Sequence, residues 1–151
     1  MLMFDVYVLE DALQKAEDHF RNASALGLEA MGLFCGSAHS CQGRLYSVLE
    51  QYLTAENDAT PVSVRFSKDA FSVLSASLSR GRRLLAWAHS HPGYGCFLSF
   101  TDVNTQRAYF PEPYHAALVV DPVRNERKFF RLDGDGYREL SYAVIRRRLP
   151  P

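Results

Sequence analysis

The sequence predicts an α/β domain, with a mixed and mostly antiparallel sheet flanked by helices. Three observations lead there. Between Phe4 and Ala25 the apolar period changes from two to three-and-four, which marks a strand followed by an amphipathic helix. The apolar runs Ala30–Cys35 and Arg44–Leu49 are joined by one short polar turn, and so short a connection makes them antiparallel. A further apolar strand, Leu84-Leu85-Ala86-Trp87, runs straight into His89-Ser90-His91, then into a turn and a helix start.

Taken in order, Phe4–Leu9 alternates as a first strand, and Glu10–Ala25 places Ala12, Ala16, His19/Phe20 and Ala23 on one helical face. Gly27 is the expected stop. His19 has no neighbour at metal spacing and reads as a helix residue at the core edge. Ala30–Cys35 is apolar throughout, as a strand buried on both faces would be. A polar turn is expected over Gly36–Gly43 and a loop over Glu50–Thr60, before a strand at Pro61–Phe66. Ser67 caps a second helix with Phe71, Leu74 and Leu78 as its buried stripe, closed by Gly81. After Asp102 a helix runs to Tyr109 and is ended by Pro111 and Pro113. Strands follow at His115–Asp121 and Lys128–Leu132, then a turn at Asp133-Gly134-Asp135-Gly136. That turn echoes a calcium loop but lacks the remaining ligands. Tyr142–Pro151 reads as a short helix and a frayed tail bearing Arg146-Arg147-Arg148.

At 151 residues the chain suits one domain, residues 1–145, with a short basic tail at 146–151. A chain of this size buries about 68–70% of its unfolded surface. Seventeen basic and seventeen acidic residues balance, so no global field favours nucleic acid or an anionic membrane. No run of eighteen apolar residues and no signal-peptide pattern occurs, and a cytoplasmic location is expected. The cysteines Cys35, Cys41 and Cys96 are odd in number and suggest no secreted disulfide framework. Cys35, His39 and Cys41 could form a structural zinc cluster, but they lack a fourth ligand and match no common finger spacing. The plainer reading is a buried Cys35 followed by a polar turn.

The chemistry concentrates between Trp87 and Asp102. Residues i and i+2 of a strand face the same way, so His89 and His91 can converge on one ion while Ser90 points behind them. Pro92, Gly93 and Gly95 then turn the chain. Asp102 adds a carboxylate, and two imidazoles plus one carboxylate with an open fourth position make a catalytic zinc site. Ser99 and Asp102 also carry a local alternative, since Ser-x-x-Asp at a helix start resembles a capping box. A general base is needed near the metal. Glu29 is the best candidate, because an ionised carboxylate at the head of an apolar run is costly without compensation.

His89-Ser90-His91, seven residues, Ser99, two residues and Asp102, with Glu29 ahead of Met31-Gly32-Leu33, resembles the JAMM motif of the JAB1/MPN/Mov34 zinc metalloproteases. The longer string His-Ser-His-Pro-Gly-Tyr-Gly-Cys-Phe-Leu-Ser and the later Asp-Val-Asn-Thr-Gln resemble the loop of the family's eukaryotic branch. Ala117-Leu118-Val119-Val120-Asp121-Pro122 resembles the strand that follows. The likeness spans roughly Phe4 to Leu140.

The resemblance implies a single MPN domain, related in fold to cytidine deaminases, that binds one Zn²⁺ through His89, His91 and Asp102. It implies Glu29 as general base and Ser99 as donor to the developing oxyanion. The implied activity is an isopeptidase, deubiquitinase-like, that removes ubiquitin or a ubiquitin-like modifier from lysine. Its partners would be those conjugates, with proteasome association as a further possibility of the family, and no nucleic acid or membrane. Processing of ubiquitin-like sulfur carriers is the alternative, and a metal-free MPN scaffold is a third reading that the five retained positions disfavour. Nucleic-acid deaminases need a Cys-x-x-Cys ligand pair that is absent here. Cys96 falls to the loop rather than the metal. Between Asp102 and His115 no further His/Cys set suggests a second zinc. Thr54–Phe66 lies where the family carries an insertion beside the active site, and is expected to pair with an extended modifier tail.

Overall fold

The structure is a computed structural model, and it describes residues 3–54, 57–59, 64–66 and 81–147. Strand β1 (Val6–Leu9) leads directly into helix α1 (Glu10–Ala25). Strands β2 (Met31–Cys41) and β3 (Arg44–Thr54) follow, then the short β4 (Asn57–Ala59) and β5 (Val64–Phe66). Strand β6 (Arg83–Ser90) precedes helix α2 (Phe100–Tyr109). The chain ends with β7 (Ala116–Asp121), β8 (Glu126–Asp133), β9 (Gly136–Leu140) and β10 (Tyr142–Ile145).

Eight strands form one sheet in the order β10-β1-β3-β2-β6-β7-β8-β9. The pairs β2–β3, β2–β6, β7–β8 and β8–β9 are antiparallel, whereas β1–β10, β1–β3 and β6–β7 are parallel. Only Ser141 separates β9 from β10 at the two extremes of that order, so the sheet curls until its edges approach one another. Asp5 fastens this junction, accepting from Ser141 N and Oγ at 3.0 Å each and from Arg44 at 3.0 Å.

The sheet divides two apolar clusters. On one face Ala12, Leu13, Ala16 and Phe20 of α1 pack on Val8, Phe34, Leu85 and Leu118. Full burial of a side chain such as Phe20 contributes roughly 1.5–3 kcal/mol. On the other face Met31, Leu33, Trp87, Val119 and Phe130 pack with Leu98 and Phe110, which flank α2. Every residue of β6 except Arg83 is buried. That explains its unbroken apolar sequence, because both its faces are covered. His19 sits at the core edge as expected, half-buried, with Nδ1 2.8 Å from the Tyr52 hydroxyl.

Several expectations need correction. The predicted turn at Gly36–Gly43 is mostly strand: β2 runs to Cys41, and the hairpin turns on Gln42 and Gly43 alone. Both have positive φ, 50° and 77°, as a two-residue turn matched to strand twist requires. The predicted loop from Glu50 begins too early, because β3 continues to Thr54 with Tyr52 fully buried. Tyr142–Ile145 is a strand, not a helix. Its β-branched and aromatic residues suit a sheet, and the free edge of β1 supplies a parallel partner. Val64–Phe66 is a strand as expected, but it pairs with β4 in a separate two-stranded sheet. The expected helix from Ser67, with Phe71, Leu74 and Leu78, lies outside the described residues. Among the described residues, no helix is long and apolar enough to cross a membrane.

Candidate metal centre

Strand β6 delivers the centre. It lies between β2 and β7, with His89 opposite Met31 on one side and Val119 on the other. His91 falls just past its end, its N–H bonded to Val120 O at 2.9 Å. The two imidazoles share a face, and their Nε2 atoms are 3.0 Å apart. Both approach one carboxylate oxygen: Asp102 Oδ2 is 3.1 Å from His89 Nε2 and 3.3 Å from His91 Nε2. Trp87, two residues before His89 on the same face, stacks on its ring at 4.4 Å. The Trp87 indole N–H bonds to the buried Gln106 side chain of α2. Tyr94 stacks on the His91 ring at 4.5 Å.

Pro92–Leu98 reverses the chain toward α2. Gly93 and Gly95 have φ of 85° and 89°, where a side chain would be strained. Ser99 caps α2 in a reciprocal box: its Oγ accepts from Asp102 N at 3.1 Å, and its N–H donates to Asp102 Oδ2 at 2.9 Å. The capping and convergent roles of Asp102 therefore fall on the same oxygen. Burial works against ionising Asp102. The two imidazoles and the Ser99 N–H outweigh it and hold the carboxyl well below the usual range. Burial pushes His89 down, against the pull of Asp102.

Glu29 is 3% exposed, and its Oε1 has no hydrogen-bond partner. Burial pushes its carboxyl up to about 7; His91 opposes that shift and Asp102 reinforces it. Just behind the centre, Ser90 Oγ accepts from Ala30 N at 2.9 Å, so the residue between the two histidines anchors the residue after Glu29.

His89, His91 and Asp102 are a group that could hold a metal ion, with ligand atoms all within 4.8 Å of one another. The donor set fits a divalent ion of the zinc type. Three potential ligand atoms packed at 3.0–3.3 Å, in electrostatic reach of a buried carboxylate that has an oxygen with no partner, are what a cation would stabilise. Cys96 points elsewhere and packs against the second apolar cluster, where burial pushes its thiol up to about 11. Cys35, His39 and Cys41 are not brought together. They are strung along β2, and at about 3.3 Å per residue its ends cannot converge. Cys35 is buried, and His39 bonds Ser37 at 2.8 Å.

The family model described as JAB1/Mov34/MPN/PAD-1 ubiquitin protease matches residues 3–111. The chain belongs to this family. It is 30% identical over 151 residues to the ubiquitin carboxyl-terminal hydrolase RPN11 of Saccharomyces cerevisiae, covering 97% of this chain and 47% of that protein. It is 36% identical over 122 residues to COP9 signalosome complex subunit 5 of Oryza sativa subsp. japonica, covering 75% of this chain and 32% of that subunit. The chain thus spans about half or less of the curated relatives it matches. A solution structure of a protein from Desulfitobacterium hafniense shares the fold, with a TM-score of 0.67, 25% identity and 94% coverage of each chain.

The segment matched to the JAB1/Mov34/MPN/PAD-1 family contains Glu29, His89, His91, Ser99 and Asp102, and ends before Asp121. Asp121 is what sequence reasoning missed. It is fully buried and accepts N–H bonds from Gly93 and Gly95 at 2.8 Å, and from Val123 and Arg124 at 3.0 Å. Burial would raise its pKa, but those backbone donors hold it below the usual range. The available signal was a carboxylate closing the apolar run Ala116–Val120.

Proposed function

We propose that this protein is a zinc-dependent isopeptidase that releases ubiquitin or a ubiquitin-like protein from lysine. The observation that carries the reading is the convergence of His89 Nε2, His91 Nε2 and Asp102 Oδ2 within 3.0–3.3 Å, on the face served by a buried, unpartnered Glu29 oxygen. The relatives named as a ubiquitin carboxyl-terminal hydrolase and a signalosome subunit support the substrate class.

His89, His91 and Asp102 would hold one Zn²⁺ and leave a fourth position open. When bound, the ion lowers the pKa of a water to about 7 and polarises the scissile carbonyl. Glu29 takes a proton from the attacking water and returns it to the lysine Nζ as that amine departs. The field of a divalent ion favours the ionised carboxylate that this role needs. Ser99 Oγ already accepts from Asp102 N–H, so its own hydrogen is left to donate to the carbonyl oxygen as charge develops there. Trp87 and Tyr94 cover the two imidazole rings and limit water behind them. No covalent intermediate is required of Cys35, Cys41 or Cys96.

The test is hydrolysis of lysine-linked ubiquitin and ubiquitin-like conjugates, and of a sulfur-carrier fusion, with and without a zinc chelator. Isopeptide cleavage that stops with chelator and returns with Zn²⁺ is expected. Cleavage of the sulfur-carrier fusion alone would replace the substrate class, and inertness of the zinc-loaded protein toward all of them would end the proposal. Ser99→Ala should lower kcat by about 10²–10³, the scale of one oxyanion donor. If it lowers only the melting temperature, Ser99 is a helix cap.

A further inference from the structure

The loop between His91 and α2 has an anchor outside itself. Asp121 ends β7, one residue past the last β6–β7 pair, Ser90↔Val120, which brings its carboxylate beside the turn. Oδ1 accepts from Gly93 N and Oδ2 from Gly95 N, both at 2.8 Å, while Val123 and Arg124 N–H groups complete the Oδ1 side. Gly95 is buried, and its carbonyl lies 3.0 Å from His91 Nδ1. A carbonyl can only accept, so this bond exists only when Nδ1 carries the hydrogen. The other nitrogen, Nε2, is then the one free to bind a metal, and it is Nε2 that faces His89 and Asp102.

We propose that Asp121 is a positioning residue for the metal centre, acting through Gly95 to fix the Nδ1–H form of His91 and aim its Nε2 at the ion. The proposal rests on His91 as a metal ligand and adds the residue that prepares it. Partners that orient a metal-bound imidazole through its second nitrogen are worth about 10–100-fold in metal affinity. Here the partner is a backbone carbonyl, and a carboxylate at the end of the neighbouring strand holds the residue that carries it through its N–H.

Asp121→Asn separates this role from plain structural support. The amide oxygen best occupies the Oδ1 side, with its three N–H donors. The NH₂ group then confronts Gly95 N–H and the Arg124 guanidinium, whose Nε lies 3.7 Å from Oδ2, and of the four backbone donors only Gly95 is released. Affinity for Zn²⁺ and Co²⁺, measured on the full chain by chelator competition, should fall about 10–100-fold, and the visible spectrum of the Co²⁺ form should change. Nitrogen-15 NMR of the histidines in chelator-treated protein at alkaline pH, with the His91 signals assigned by His91→Gln, should show Nδ1–H in the wild type and a mixture in Asp121→Asn. If Asp121→Asn fails to fold, Gly95→Ala strains the same residue at φ 89° and should give the same two shifts. A variant with lower melting temperature but unchanged tautomer and metal affinity would overturn the proposal and leave Asp121 as a turn anchor. A wild type that binds neither ion would refute the metal centre itself, and the tautomer comparison would still decide for or against Asp121.

Discussion

Two buried carboxylates flank β6, one just before β2 and one at the end of β7, and their surroundings are opposite. Asp121 is fully buried and accepts four backbone N–H groups. Glu29 is nearly as buried, yet one of its oxygens has no partner at all. The first is held ionised below the usual range, while burial carries the second up to about 7. Burial alone therefore does not set the state of a carboxylate; the donors aimed at it do. The satisfied group builds the frame of the turn, and the unsatisfied one is the base of the proposed reaction. An orphaned buried polar atom calls for a missing partner, and at Glu29 a metal ion with its water would supply one.

The largest expected effect breaks this comparison at its reactive side. Glu29→Gln should reduce isopeptide cleavage by about 10²–10⁴, the range for a lost general base, with zinc content unchanged. Near-normal turnover in that variant would remove Glu29 as the base. At the structural side the balance should reverse. Asp121→Ala strands buried N–H donors at about 1–3 kcal/mol apiece and should cost about 3 kcal/mol or more in denaturant unfolding. Glu29→Gln should cost little or even stabilise the metal-free protein. Equal destabilisation by both would mean that the two carboxylates do not differ in kind.

The pH dependence sharpens the same contrast. In metal-free protein the folded state holds the Glu29 proton more tightly than the unfolded chain does. Its contribution is complete below the ordinary value of 4.5 and is lost as pH rises toward about 7. His89 is depressed, so its effect runs the other way and stability is gained as pH rises through its ordinary value of 6.5. Subtracting the Glu29→Gln curve from that of wild type cancels His89 and isolates Glu29. The variant's advantage should grow from nothing near pH 4.5 to at most about 3 kcal/mol near pH 7, and Zn²⁺ should abolish it. A flat difference would show that Glu29 is solvated in the metal-free state.

What could be read in the sequence was whatever is local. His89, His91, Ser99 and Asp102 lie within fourteen residues on a strand, a turn and a helix start, so their convergence follows from spacing. The exits from β2 and β3 are hidden in the sequence because polar residues such as Ser37, His39, Glu50 and Gln51 occupy strand positions that are exposed or only partly buried. Strand β10 was misread for another reason. Its partner β1 lies at the far end of the chain, and no local pattern announces a parallel pairing at that distance. Asp121 escaped for the same cause, since its partners Gly93 and Gly95 lie 28 and 26 residues upstream.

The smallest effect concerns the tie between the two sides of the centre. Ser90 is fully buried, and its Oγ takes the N–H of Ala30 at 2.9 Å, while its own N–H donates to Ala30 O at 3.0 Å. The end of the strand that carries His89 is thereby fastened to the residue after Glu29. Ser90→Ala keeps the second of these bonds and loses the first, leaving one buried N–H without an acceptor at about 1–2 kcal/mol. At this chain length that is a fall of about 2–8 °C in melting temperature. Zinc affinity should be unchanged, because Ser90 points away from the face that His89 and His91 share. The rate should drop by no more than about tenfold, as Glu29 loses part of its backbone support and the barrier rises by about 1.4 kcal/mol. A loss of zinc would place Ser90 on the ligand side of the strand. A drop in rate as large as that of Glu29→Gln would mean that the position of the base depends on this single hydrogen bond.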